Sequence, residues 1–239
     1  MKSPVQEREV SGRSLVHRIF PLIRNGSIVR FILAASVTSP PPMILPIRAY
    51  GDPVLKKVAA DIDPDHTGLK ELIADMFETM YAANGVGLAA PQVGKSIRLF
   101  IVDTHAGAES DDPDAEKAPE DADEEPRLKR VFINPYIVEE EGEEWGFEEG
   151  CLSIPNIREE VRRQPRVVLQ YQDEQFKEHE EEFEGFAARV IQHEHDHLDG
   201  VLFIDHLSAL RKRLLNGKLR DISQGRTDAK YKMRFPAAK

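Results

Sequence analysis

Between residues 68 and 84 the stretch GLKELIADMFETMYAAN repeats apolar side chains at intervals of three and four. Leu69, Leu72, Ile73, Met76, Phe77 and Met80 share one face, which predicts an amphipathic helix. The period then changes. SIRLFIVD (96–103) and KRVFINPYIVE (129–139) are short apolar runs rich in β-branched and aromatic residues, and predict strands. RVVLQYQDEQFKEHEEEFEG (166–185) predicts two strands around a turn at Asp173–Glu174. FAARVIQHEHDHLDG returns to helical spacing, with Gly185 just before it and Gly200 just after. Beyond residue 206, LSALRKRLLNGKLRD predicts a basic helix or helix-turn, with Gly217 as a candidate break. No internal repeat is visible.

Composition adds organisation. The chain has 239 residues, 41% of them apolar, enough for one packed domain with length left over for tails. Its net charge of −10 is unevenly spread. Residues 1–42 hold six basic side chains against two acidic, and residues 210–239 hold ten against two, so the body between them is strongly acidic. An acidic body with a basic tail argues against general coating of nucleic acid but allows a local contact by the tail. The expected division is a leader at 1–42, a folded domain at 43–220 and a basic tail at 221–239.

The leader is rich in Arg and Ser, poor in acids, and ends in SPPP. The preferred reading is a disordered or mis-started extension, with Met43 as the true start. Import into an organelle is the minority alternative. A secretory signal fits poorly, because Arg30 interrupts the apolar run IVRFILAASV. Residues 109–125 carry ten acidic groups against Lys117 alone, so the loop at about 104–126 is expected to be a mobile, solvated insertion. One cysteine, Cys151, forbids an intrachain disulfide and favours a reducing compartment such as the cytoplasm. No apolar run is long enough to span a bilayer.

The chemistry concentrates in IQHEHDHLDG (191–200). On a helix, His193 and His197 lie one turn apart on one face, so both imidazoles can reach one ion. Glu194 is rotated by about 100°, beside the ion without ligating it. His195 points away and is expected in packing or at the surface. H-E-x-x-H on a helix signals a hydrolytic metal site, although a polar helix can reach that spacing by chance. Apolar Val190, Ile191 and Leu198 favour an embedded helix, and buried polar groups need partners. Cys151, in EEGCLSIP, could complete a three-ligand set with one position left for water. Alternatively it is an inert buried thiol. NGVGLAAPQVG (84–94) is small enough for close backbone approach and carries the amide of Gln92, or is simply a tight turn.

GVGLAAPQ (85–92), EGCLS (149–153) and QHEHDHLDG (192–200), in that order, resemble the three motifs of the peptide deformylases. The resemblance spans about 43–220, outside the acidic loop, and includes RAYGDPVLKKVA and GVLFIDHLS. It implies an α+β fold of antiparallel sheets around a central helix bearing the H-E-x-D-H motif, followed by a C-terminal helix. It implies a metal-dependent hydrolase that removes formate from N-formylmethionine on nascent peptides. One divalent metal, expected to be ferrous iron with zinc, nickel or cobalt tolerated, would be held by Cys151, His193 and His197. Glu194 would act as general base, with Gln92 and the N–H of Leu152 as donors to the formyl oxygen. The peptide would lie extended against Val86, Gly87 and Gly150, with Val86, Leu152 and Val190 around the methionine side chain.

Arg189, one turn before His193, would either touch the peptide at the pocket mouth or pair with a carboxylate. Arg163 matches the family's partner position for Glu149. Two rivals stand beside this reading: a zinc endopeptidase, which usually takes its third ligand from His or Glu, and a ribosome-binding protein with a dead site. The second rests on Arg211, Lys212, Arg213, Lys218 and Arg220, which suit phosphates. A ribosome contact is also compatible with deformylation, and a solvated basic helix is the plain alternative.

Overall fold

The computed structural model describes residues 41–106 and 126–236. Most of the leader and of the expected acidic loop lie outside these residues. The described part begins with β1 (Ile47–Arg48), then α1 (Leu69–Ala82), β2 (Gly87–Ala89), β3 (Leu99–Asp103) and β4 (Lys129–Glu141). A hairpin of β5 (Trp145–Cys151) and β6 (Ile154–Arg163) follows, then β7 (Arg166–Gln172), β8 (Glu178–Glu184), α2 (Gly185–Leu198), α3 (Ala209–Ser223) and β9 (Met233–Arg234).

Five strands form an antiparallel sheet in the order β2-β3-β4-β7-β8. Side chains alternate across a strand, and this alternation divides the core. Phe100 and Val102 of β3 and Phe132 of β4 face α2, where Val190, Ile191 and Leu198 meet them. Leu99, Ile101, Val131 and Ile133 face Ile73, Met76 and Met80 of α1. β3 is therefore covered on both sides, which is why it reads as an unbroken apolar run. The β5–β6 hairpin builds a third cluster with Leu215, Leu219 and Ile222 of α3.

α2 stops at Leu198, and Gly200 turns the chain with φ +73°. A Cβ there would sit 2.8 Å from the backbone carbon of Lys56, so the turn needs glycine twice over. α3 is continuous, because nothing packs near Gly217 to exploit a break. The segment set apart as a tail at 221–239 is helical through Ser223, then returns to pair β9 with β1. That pair is parallel, unlike the antiparallel sheets expected. The β5–β6 hairpin was not among the predicted strands.

Candidate metal centre

β5 ends at Cys151, Leu152 and Ser153 make the two-residue turn, and β6 leaves at Ile154. The hairpin thereby sets one thiol at a fixed point beside α2. His193 and His197 present their rings from successive turns of that helix, with centroids 5.1 Å apart. Cys151 Sγ lies 3.3 Å from His197 Nε2, and the three donor atoms are all within 4.8 Å of one another. All three residues are buried. Cys151 is therefore not an isolated inert thiol.

Glu149, two residues before Cys151, organises the site from behind. The Nδ1–H of His193 donates to Glu149 Oε2 at 2.9 Å, which fixes the tautomer and leaves the Nε2 lone pair for a cation. Arg163 clamps the same carboxylate through two nitrogens, at 2.7 and 3.0 Å, and also reaches Asp196 at 2.8 Å. Burial pushes the Glu149 carboxyl up, but the bonds from His193 and Arg163 outweigh it and hold it well below the usual range. His193 likewise loses by burial yet is raised well above the ordinary imidazole value, because the Cys151 thiol and Glu149 favour positive charge there. His197 is pushed well down by burial and by the positive charge at His193. The Glu149 carboxylate thus favours positive charge at His193, beside the neutral imidazole of His197, and a cation can take the place of a proton at His193 Nε2. A soft sulfur and two imidazole nitrogens suit zinc or ferrous iron, so these residues could hold a divalent cation.

Glu194 is 4% exposed and lies against the edge strand β2. A Cβ built on Gly87 would fall 2.5 Å from Glu194 Oε1, so only glycine leaves room for the carboxylate. Gln92 follows in a short 3-10 turn, Ala90–Val93. Its Oε1 accepts from the N–H of Ala89 at 2.7 Å, which turns Nε2 toward Cys151. Nε2 is 3.5 Å from both Cys151 Sγ and Ser153 Oγ, an ordinary hydrogen-bond distance to sulfur and a long one to oxygen. The amide of Gln92 and the Leu152 turn thus flank the thiol.

Beside the centre opens a narrow cleft. Val86, Gly150 and Val190 line it, together with Phe147, Phe186 and Arg158. Phe186 could have been found in the sequence, four residues before Val190 on the same helical face. Phe147 could not, because nothing in the hydrophobic pattern marks its hairpin. Leu152 does not line the cleft. Its side chain packs with the α1 cluster, against Gly85.

Arg189 borders the cleft but cannot offer its guanidinium to a peptide. It is 2% exposed, donates to Glu149 Oε1 and Val161 O at 3.0 Å and to Trp145 O at 2.7 Å, and lies 4.4 Å over the Trp145 ring. The ion-pair alternative describes it. His195 is part-buried rather than a surface group. Arg98 Nη2 approaches its Nε2 to 3.0 Å, and the same guanidinium holds Asp199 at 2.7 Å.

The model of the polypeptide deformylase family matches residues 44–213. A peptide deformylase of Christiangramia forsetii is 56% identical over 197 residues, covering 82% of this chain and 98% of that protein. The solved peptide deformylase of Legionella pneumophila is 37% identical and superposes with a TM-score of 0.63, over 77% of this chain and 99% of that one. The Thermotoga maritima enzyme is 43% identical, with a TM-score of 0.58, over 69% and 98%.

Proposed function

The chain belongs to the polypeptide deformylase family, and from that premise we propose which of its residues carry the reaction. As a peptide deformylase it is a hydrolase that removes the formyl group from N-formylmethionine on nascent peptides. Cys151, His193 and His197 would hold a divalent cation; the carrying observation is that their donor atoms lie within 4.8 Å of one another in a buried setting. Such a cation would supply Lewis acidity, lowering the pKa of water toward neutrality.

Glu194 takes the proton of the attacking water and delivers it to the departing amine. Gln92 Nε2 and the Leu152 N–H donate to the formyl oxygen as negative charge grows on it. The peptide adds as an extended strand between β2, at Val86–Gly87, and Gly150, since β2 is an edge strand of the five-stranded sheet among the described residues. The methionine side chain enters the cleft among Val86, Phe147, Phe186 and Val190. Arg189 serves the site by holding Glu149.

Ferrous iron is the metal we assign in the cell. Protein purified without oxygen should carry about one iron per chain and release formate from formyl-Met-Ala-Ser. Air should then destroy that activity, because a thiolate bound to ferrous iron is readily oxidised. Fully active protein carrying only zinc would refute the assignment, and metal-loaded protein that released no formate would refute the site itself.

The cytoplasm suits a chain with a single buried cysteine. Among the described residues, no helix is long and apolar enough to cross a membrane. α3 supplies a ribosome contact in this reading, through Arg213, Lys218 and Arg220. Arg211 and Lys212 contribute less, because Glu159 already holds the first at 2.5 Å and the carbonyl of Asp205 the second at 2.6 Å. Co-sedimentation with ribosomes should weaken with salt and disappear when the three are replaced by glutamate. Binding that ignored both changes would remove the contact.

A further inference from the structure

The turn that carries Leu152 is held from an unexpected direction. After α3 the chain doubles back, and β9 lies parallel to β1. The N–H of Ile47 donates to Lys232 O at 2.9 Å, and that of Ala49 to Arg234 O at 3.0 Å. One residue before this ladder, the Tyr231 hydroxyl donates to the carbonyl of Leu152 at 2.8 Å, across 79 residues of sequence. Beside it, the N–H of Tyr50 donates to Ser153 O at 2.8 Å. Tyr231 also packs on the cluster that contains Leu152, while Met233 and Phe235 pack on the one that contains Cys151. Asn156, just past the turn, donates to Asp228 at 2.5 Å. The returning segment is thus bound to the turn by side chains as well as to β1 by backbone. Tyr231 lies outside residues 44–213, the span matched by the family.

An N–H that must meet a developing charge needs its direction fixed beforehand, since reorganising a donor during the reaction forfeits its advantage. The Leu152 N–H lies in the peptide plane that precedes its Cα, and that plane can turn unless the plane that follows is held as well. The preceding plane starts at Cys151, which pairs with Ile154 and whose Sγ lies 3.3 Å from His197 Nε2. The following plane carries the Leu152 carbonyl, and Tyr231 holds it. We propose that Tyr231 is a positioning residue for deformylation, which aims the Leu152 N–H by fixing the Leu152–Ser153 peptide from the C-terminal segment. This rests on Leu152 being a donor to the formyl oxygen.

The test compares Y231F with Q92A and the parent, each loaded with the same metal. It reads kcat, KM, metal per chain and melting temperature on formyl-Met-Ala-Ser. Y231F deletes one hydroxyl and keeps the ring, so the packing survives. The expected result is a fall of about 3- to 10-fold in kcat, the worth of one hydrogen bond. KM should stay within about twofold and metal content should be unchanged, as for an interaction that counts only at the transition state. Q92A removes a proposed donor directly and should lower kcat by about 10²–10³-fold. If Q92A falls and Y231F keeps its kcat per bound metal, the positioning role is overturned and the donor reading stands. A lower melting temperature or metal content in Y231F with unchanged kcat per metal overturns it too, as a purely structural role would. If neither variant loses kcat, the donor reading fails and the proposal goes with it.

Discussion

Alanine at position 194 should lower kcat for formate release from formyl-Met-Ala-Ser by about 10²–10⁴-fold, the usual worth of a positioned acid–base group. Metal content should stay at the parental value. Glu194 neighbours His193 in sequence, but it belongs to a different direction of α2 and faces Gly87 rather than the three donor atoms. Truncating it therefore takes away a proton carrier and leaves the ligand set intact. E194Q sharpens the result, because it keeps the shape against Gly87 and removes only the basicity. Both variants should fall together. If E194A also lost its metal, Glu194 would be part of the cation's cage. If either variant kept more than about a tenth of parental kcat, another group would be moving the proton.

What the sequence reveals of this site depends on how each side chain is presented. His193 and His197 are legible because the helix repeats every 3.6 residues and the two fall one turn apart. Glu194 is visible through its place in H-E-x-x-H and Gln92 as an amide in apolar company, although their geometry is not. The hairpin is harder. Along β6 the inward positions are Ile157, Glu159, Val161 and Arg163, a strict alternation in which two of the four are charged. A hydrophobicity pattern cannot show a strand whose buried face carries ions. Those ions are buried because each has a partner elsewhere in the chain: Arg163 on Glu149 and Asp196, Glu159 on Arg211. Such pairings are tertiary facts. The same holds for Arg189, whose helical position suggested the cleft while its guanidinium turned inward to Glu149. The return of Tyr231 to Leu152 was invisible for the same reason, since a short polar segment after a basic helix reads as a tail.

Arg163→Met should be the most costly change outside the reacting groups. Methionine roughly keeps the length and removes the charge, so Glu149 retains only Arg189 and His193, and Asp196 retains His206 at 2.8 Å. Breaking a buried ion pair costs about 3–5 kcal/mol, because the surviving charge is left without its compensation. The remaining partners of Glu149 place the expected loss near the lower end, about 3 kcal/mol in denaturant unfolding. The more informative effect is on the metal. Glu149 both orients His193 through Nδ1 and makes that imidazole a stronger donor at Nε2. A carboxylate released from Arg163 can rotate, and the ring it holds rotates with it. Metal affinity should therefore fall by about 10- to 100-fold, as when a group supporting a ligating histidine is lost. Competition against a chelator measures this separately from stability. If the variant unfolded more easily yet bound metal as tightly as the parent, Arg163 would be part of the scaffold alone, and the grip of Glu149 on His193 would owe nothing to it.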